Sequence, residues 1–138
     1  MLMISCESST LRVLVVDDHE LTRLTLQLAF AGQENIQVVG SASNGQEAIE
    51  MVKVCHPDVI VLDLQMPVMD GWIASGEIKA ISPHTQILAY SSVEEAHLPD
   101  KKTMRNFDEV CKKDVPTNEL VALVRQLGKS AENGSISK

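Results

Sequence analysis

Aromatic residues, cysteines and long apolar runs are all scarce in this sequence of 138 residues. One Trp, one Tyr and two Phe leave the interior of a folded domain to be built from aliphatic side chains. The longest uninterrupted apolar run is Leu120–Val124, whereas a membrane-spanning helix needs about 20 residues. The first ten residues contain neither Lys nor Arg and do not resemble a secretory signal. We therefore expect a cytoplasmic protein with no membrane segment.

The patterns of cysteine and histidine argue against a zinc site. Cys6, Cys55 and Cys111 form no Cys-x-x-Cys pair, and their odd number favours free thiols in a reducing compartment. The histidines show neither HxH nor HxxxH spacing. All four are interpreted as solvated or helix-capping residues: His19, His56, His84 and His97.

Acidic residues outnumber basic ones by 19 to 12, which gives a net charge of −7. A nucleic-acid-binding domain normally carries a basic patch, so this composition disfavours direct contact with DNA or RNA. The length suits a single domain, and the apolar fraction of 44% is ordinary for a globular protein.

Short aliphatic runs alternate with stretches of helical spacing along the chain. Between the first two runs, for example, Leu21, Leu24, Leu28 and Ala31 recur along one face of a helix. Strands that alternate with helices predict βαβ units, and hence an α/β fold whose parallel sheet has helices on both faces. The runs are rich in β-branched residues and mostly continuous, as expected for buried strands: Val13–Val16, Ile36–Val39, Val59–Leu62, Ile87–Tyr90 and a weaker one at Val110–Cys111.

Strand–helix units of this kind fill the chain between Leu11 and Leu127. The fourth helix, predicted within His97–Phe107, is the weakest because it contains Pro99 and is polar. We predict a domain over 11–128, preceded by an N-terminal extension at 1–10 and followed by a flexible tail or the start of a linker at 129–138.

Polar residues follow most of the runs, at the edge of the sheet where ligands bind in folds of this class. Any one of them has an ordinary explanation, since Asp caps helices and a Ser or Lys at a strand end is commonly solvated. Together they deliver carboxylates, a hydroxyl and an ammonium to one edge. In chain order they are Asp17 and Asp18, Asp63, Ser91, and Lys112 and Lys113.

Asp63 is the hardest of these residues to explain as a cap or a turn. It lies between Leu62 and Leu64, where an unpaired buried charge is costly. The acids after the first strand would only raise its pKa, because like charges disfavour ionisation. A divalent cation resolves the conflict, and carboxylate oxygens suit Mg²⁺.

The stretch Asp63–Gly71 reads DLQMPVMDG and resembles the DxxMPxMDG signature of bacterial response-regulator receiver domains. The paired acids in VLVVDDHE resemble the first strand of that family. The spacings are also similar, with 45 residues from Asp18 to Asp63, 28 more to Ser91 and 22 more to Lys113. The segments DDHE and VVGSASNG are most similar to receivers of the NarL/LuxR type.

This resemblance implies a flavodoxin-like (βα)5 doubly wound sandwich with a five-stranded parallel sheet of order 2-1-3-4-5. It implies a phosphoacceptor that catalyses only its own phosphorylation and dephosphorylation. The implied partners are a sensor histidine kinase or a phosphotransfer protein, and the family admits a phosphorylation-dependent homodimer. NarL/LuxR-type receivers usually precede a helix-turn-helix domain, so the implied output is transcriptional, with DNA contacted only through a domain that is not in this chain.

The resemblance also implies a role for each residue of the site. Asp63 is the implied phosphoacceptor, and Ser91 and Lys113 are the implied contacts of the phosphoryl oxygens, with Lys112 as the rival of Lys113. One departure concerns the position three before the conserved Lys, where an aromatic usually turns inward on activation and where this chain has Val110. The implied Mg²⁺ ligands are Asp18, Asp63 and the backbone carbonyl of Gln65, with Asp17 acting through water.

Two other functional classes use an α/β domain with polar residues at this edge. A Mg²⁺-dependent phosphatase normally has a general-acid Asp two residues after its nucleophile, where Gln65 stands here. A flavodoxin-like cofactor carrier needs a phosphate-binding loop after the first strand, where Asp17 and Asp18 would repel a phosphate. The residues present favour the phosphoacceptor.

Overall fold

The computed structural model describes residues 10–92 and 103–136, with the side chains of 103–104 and 131–136 left aside. Its strands are β1 (Leu11–Val16), β2 (Ile36–Ala42), β3 (Val59–Asp63), β4 (Gln86–Ser91) and β5 (Glu109–Lys112). Its helices are α1 (Glu20–Ala31), α2 (Gly45–Cys55), α3 (Gly71–Ile81) and α4 (Thr117–Ile136), with a short 3₁₀ helix at Thr103–Asn106.

The strands form one parallel sheet in the order β2-β1-β3-β4-β5, which confirms the predicted fold class and strand order. Because all pairs are parallel, the carboxyl ends of the strands lie along the same edge of the sheet. Asp63 pairs with Tyr90 and Ser91 pairs with Lys112 in the register, so the ends of β3, β4 and β5 are level with one another.

The core is mainly aliphatic, as predicted, with Phe30 and Tyr90 as aromatic members, and it lies in two layers separated by the sheet. Val13 and Val15 of β1 face a cluster that contains residues of α1 and α4. Leu14 and Val16 face a second cluster that contains residues of α2 and α3. This alternation follows from the two-residue period of a strand, and it explains why β1 reads as a continuous apolar run.

Helix α1 presents the apolar face identified from the sequence to solvent rather than to the sheet. Leu21 and Leu28 are each 75% exposed and Leu24 is 48% exposed. Leu26 and Phe30, which lie four residues apart on another face, are buried instead. Phe30 is the largest apolar side chain of the helix and is fully buried. This orientation of α1 therefore removes the side chain with the largest apolar surface from water.

The last helix extends to Ile136, where the sequence predicts a flexible tail from 129. Leu120, Val124 and Leu127 anchor this helix to the core, and Lys129 and the residues after it continue a helix that is already nucleated. The backbone of 129–136 is therefore helical, and whether this stretch begins a linker stays a prediction. Residues 137–138, the extension at 1–9 and 93–102 of the predicted fourth helix lie outside the described residues.

Within the described residues, no helix has both the length and the apolar character needed to cross a membrane. Cys55 and Cys111 are free thiols, as predicted, while Cys6 lies outside the described residues.

Candidate functional site

The carboxyl edge of the sheet brings together the three acids that the sequence singles out. Oxygens of Asp17, Asp18 and Asp63 lie within 4.8 Å of one another and of the imidazole of His19. Asp17 is fully buried and Asp63 is 4% exposed, because each follows or ends a strand of the interior of the sheet. The expected convergence of carboxylates is therefore present in the fold.

Lys113 is the cation of this cluster. Its Nζ lies 2.7 Å from Asp17 Oδ2 and 3.4 Å from Asp63 Oδ1. Lys112 is the last residue of β5 and is exposed. The two lysines were rivals on sequence grounds, and it is the side chain of Lys113 that lies among the acids.

Ser91 and Gln65 lie at the ends of neighbouring strands. Ser91 is 2% exposed at the end of β4, and its carbonyl accepts a hydrogen bond of 2.9 Å from the backbone N–H of Lys113. Gln65 is exposed, and its backbone N–H donates to Asp63 Oδ1 at 3.2 Å. The main chain around the site thus holds both Asp63 and Lys113 in place.

The pKa of the Asp63 carboxyl is raised from 3.8 to about 6. Burial is the largest cause, and the negative charge of Asp17 adds to it. The charge of Lys113 and the hydrogen bond from the N–H of Gln65 act in the opposite direction but do not cancel the increase. When no cation is bound, ionisation of Asp63 therefore lowers the free energy of unfolding.

We expect Asp63→Asn to stabilise the metal-free protein at pH 7.5. The folded state binds a proton at Asp63 more tightly than the unfolded chain, so this group's contribution to stability is full below pH 3.8 and is lost as the pH rises through about 6. The uncharged variant avoids this loss, which amounts to about 2 kcal/mol in the free energy of unfolding. Urea denaturation in EDTA at several pH values measures it.

The gain should be largest above the folded pKa of about 6 and should shrink as the pH falls from there toward 3.8, because the folded wild type then binds the proton before the unfolded chain does. Asp70→Asn is the matched control, because Asn keeps the N-cap function that Asp70 serves for α3. A gain that is equal at all pH values, or equally large in the control, contradicts the assignment of the effect to the buried charge.

The rest of the DxxMPxMDG stretch shapes the loop that follows Asp63. Asp70 Oδ1 accepts a 3.0 Å hydrogen bond from the N–H of Ile73 and so begins α3. A Cβ on Gly71 would lie 2.4 Å from the carbonyl oxygen of Asp63, so only glycine fits where α3 approaches β3. Its φ is not positive, hence close approach rather than unusual backbone conformation explains this glycine.

His19 is a member of the cluster that the sequence interpretation missed. It occupies the N-cap position of α1, yet its side chain makes no capping hydrogen bond. Its Nδ1 lies 3.1 Å from Asp17 Oδ1 and 3.1 Å from Asp18 Oδ1 instead. His19 is exposed, as predicted, but the prediction of a solvated or capping histidine did not include this contact with the acids, for which its place directly after them was the available signal.

The residues of the cluster fit a divalent cation. Asp18 Oδ1 is buried and has no hydrogen-bond partner, and the imidazole Nδ1 of His19 lies 3.1 Å from it. Three carboxylates face one ammonium, so the site has excess negative charge, and hard oxygen donors are the ligands that Mg²⁺ prefers.

Val110, which replaces the usual switch aromatic, is 38% exposed on β5. The aromatic near the site is Tyr90, which is buried, with its ring centroid 5.8 Å from Lys113 Nζ and its hydroxyl 3.4 Å from the carbonyl oxygen of Lys113. The aromatic ring of Tyr90 thus packs beside Lys113 from β4, whereas the usual switch aromatic would lie on β5 at the position of Val110.

Comparison with known proteins gives a consistent result. The model of the response regulator receiver domain family matches residues 13–125. The receiver domain of CheB from Thermotoga maritima is 31% identical, with a TM-score of 0.80 over 87% of this chain and 97% of that one. The signal receiver domain of NarL from Mycobacterium tuberculosis is also 31% identical, with a TM-score of 0.79 over 88% of this chain and 98% of that one.

Longer curated relatives match only in part. A protein-glutamate methylesterase/protein-glutamine glutaminase of Photobacterium profundum is 45% identical over 61% of this chain, which spans 21% of that protein. The response regulator protein VraR of Staphylococcus aureus is 38% identical over 72% of this chain and 46% of its own length. With the strand order, the acidic edge and these matches in agreement, the chain belongs to the family of response-regulator receiver domains, and it is similar to receivers of the NarL/LuxR type and of CheB.

Proposed function

We propose that this chain is the phosphoacceptor of a two-component signalling system and that Asp63 is its phosphorylation site. A carboxylate oxygen of Asp63 attacks the phosphorus of a phosphohistidine, the P–N bond breaks, and the electron pair stays on the imidazole, which takes up a proton. The product is an aspartyl phosphate. The observation that carries the proposal is the meeting of Asp63 with two further acids and Lys113 at one edge of the sheet.

Each neighbour of Asp63 has a role in this proposal. Ser91, buried at the adjacent strand end, hydrogen-bonds one phosphoryl oxygen, and Lys113 pairs with another. Lys113 lies closer to Asp17 than to Asp63. In the proposed reaction its ammonium leaves the carboxylate of Asp17 and pairs with the phosphoryl group on Asp63. A Mg²⁺ held by the acids would neutralise charge on the phosphoryl oxygens. Its proposed ligands are Asp18, Asp63 and the carbonyl of Gln65, with Asp17 acting through water.

The site favours a phosphoacceptor over a turnover phosphatase. Gln65, at the position of the phosphatase general acid, is exposed, and only its backbone N–H is seen to contact Asp63. An amide side chain has no proton to give to a leaving group at neutral pH. In this proposal the chain catalyses only its own phosphorylation and dephosphorylation.

The expected partner is a sensor histidine kinase or a phosphotransfer protein, and α1 offers it a surface. Leu21, Leu24 and Leu28 form an exposed apolar face that begins directly beside the acids. An apolar face of this kind is typical of an interaction site, and its position would bring a phosphohistidine close to Asp63. The proposed compartment is the cytoplasm, and phosphorylation-dependent homodimerisation remains a prediction.

The proposed output of the phosphorylated receiver is the control of transcription. The similarity to NarL-type receivers favours a transcriptional regulator, in which DNA is contacted through a separate domain. The methylesterase/glutaminase relatives show that a similar receiver also occurs within a larger protein with that different activity. The acidic character of this chain agrees with a receiver that does not bind DNA itself.

Labelling with acetyl phosphate tests the proposal. We expect the intact mass to increase by one phosphoryl group in the presence of Mg²⁺ and to stay unchanged in EDTA. Hydroxylamine should remove the label, because it cleaves acyl phosphates and leaves a phosphoserine at Ser91 intact. Labelling that is indifferent to EDTA, or resistant to hydroxylamine, contradicts the proposed chemistry.

A further inference from the structure

We propose that His19 Nδ1 is a ligand of the ion held at this site and gives the site a preference for borderline transition ions over Mg²⁺. This inference rests on the proposed ion site formed by the acids of β1 and β3. It concerns a residue to which sequence interpretation gave no role in the site.

The spacing of the donor atoms suits direct ligation. Neighbouring ligands of an octahedral ion at about 2.1 Å lie about 3.0 Å from each other. His19 Nδ1 is 3.1 Å from Asp17 Oδ1 and 3.1 Å from Asp18 Oδ1, and an oxygen of Asp63 lies within 4.8 Å of these atoms. The imidazole is thus at the distance of a neighbouring ligand from Asp18, a proposed direct ligand, and within hydrogen-bond distance of Asp17, which acts through water.

The local backbone holds His19 in this position. Its N–H donates to Asp17 Oδ1 at 2.9 Å, which folds the chain back toward the acids directly after β1. The side chain does not cap α1, although residues at this position commonly do so. With 69% of the side chain exposed, most of the ring is in solvent, which leaves room for a small rotation onto an ion.

The chemistry of the donors predicts the preference. Mg²⁺ takes oxygen ligands and keeps several waters, so it gains little from an imidazole nitrogen. Co²⁺, Ni²⁺ and Zn²⁺ accept imidazole readily, and their affinity for mixed nitrogen and oxygen sites rises along the first-row series. The acids alone favour hard ions, whereas the acids together with His19 favour borderline ones.

The test is a titration of the metal-free full chain with CoCl₂ and, separately, with MgCl₂. Calorimetry gives both affinities, and proton NMR of the Co²⁺ form detects the strongly shifted Nε2–H proton of an imidazole that ligates through Nδ1. We expect His19→Ala to abolish that signal and to weaken Co²⁺ binding at least about tenfold, with a much smaller change for Mg²⁺. His84→Ala, which removes an exposed histidine outside the cluster, should leave Co²⁺ binding and the signal intact.

A third variant separates this inference from the ion site on which it rests. Asp18→Asn should weaken the binding of both ions, and if it weakens neither, the ion site itself is wrong. If Asp18→Asn weakens both ions while His19→Ala binds Co²⁺ as tightly as the wild type and keeps the shifted signal, the site stands and the role of His19 is overturned.

Discussion

Asp63→Asn should reduce phosphorylation by acetyl phosphate to background, a loss of at least about a hundredfold. An amide oxygen is a poor nucleophile, and no other acid of the site is expected to take its place. Asp17 is fully buried and its Oδ2 is held by Lys113, while Asp18 is one of the proposed ion ligands. Intact-mass analysis after a fixed incubation with Mg²⁺ measures the loss.

Asp70→Asn is again the matched control, since it changes an acid of the same loop to the same amide while keeping the cap of α3. It should accept the phosphoryl group at a rate close to that of the wild type. Because Asp63→Asn is also expected to stabilise the fold, unfolding cannot be the cause of its inactivity. A variant that is still labelled at more than a few per cent of the wild-type level would identify another acceptor.

Lys113→Met should destabilise the metal-free protein by about 3 kcal/mol at pH 7.5. Burial alone would lower the pKa of Lys113, but the hydrogen bond to Asp17 and the charge of Asp63 outweigh it, and the pKa is raised. The ammonium is therefore strongly coupled to two buried carboxylates. Methionine keeps most of the apolar stem, so the loss measured by urea denaturation reports mainly on the removed charge.

Two further measurements identify the cause of that destabilisation. Added Mg²⁺ should restore most of the lost stability, because a cation bound to the acids replaces the missing charge and stabilises only the folded state. Lys53→Met is the control for a surface ion pair, since Lys53 and Glu50 are 3.8 Å apart and both mostly exposed. Its effect should stay below about 1 kcal/mol. Equal losses in the two variants, or no response of Lys113→Met to Mg²⁺, contradict this explanation.

The fold and the acidic edge could be predicted from the sequence because both follow from the order of strands, helices and acids along the chain. Aliphatic runs that alternate with helical spacing require parallel strands, and parallel strands place their carboxyl ends at one edge. An acid that follows each of two neighbouring strands must then meet the other. Asp63 lies between Leu62 and Leu64, and this sequence context alone predicts a costly buried charge.

The details that decide energetics depend on contacts between distant parts of the chain. Lys113 and Asp17 are 96 residues apart in sequence, and β3 and β4 lie between their strands in the sheet. The side chain of Lys113 reaches along the carboxyl edge to within 2.7 Å of Asp17. Likewise, α4 continues to Ile136 because a helix that is anchored to the core extends through residues that would not form one alone.

By itself, the sequence determined which residues form strands, which acids follow them and, through its motif, which family the chain resembles. Only the tertiary structure decided which face of α1 meets the sheet and where the imidazole of His19 points. Helix α1 has apolar residues on two faces, and the spacing of these residues does not show which face packs against the sheet. Packing against the sheet decides between them: Leu26 and Phe30 are buried, and Leu21, Leu24 and Leu28 stay in solvent. The contact of the N-cap residue His19 with the acids is likewise a tertiary feature.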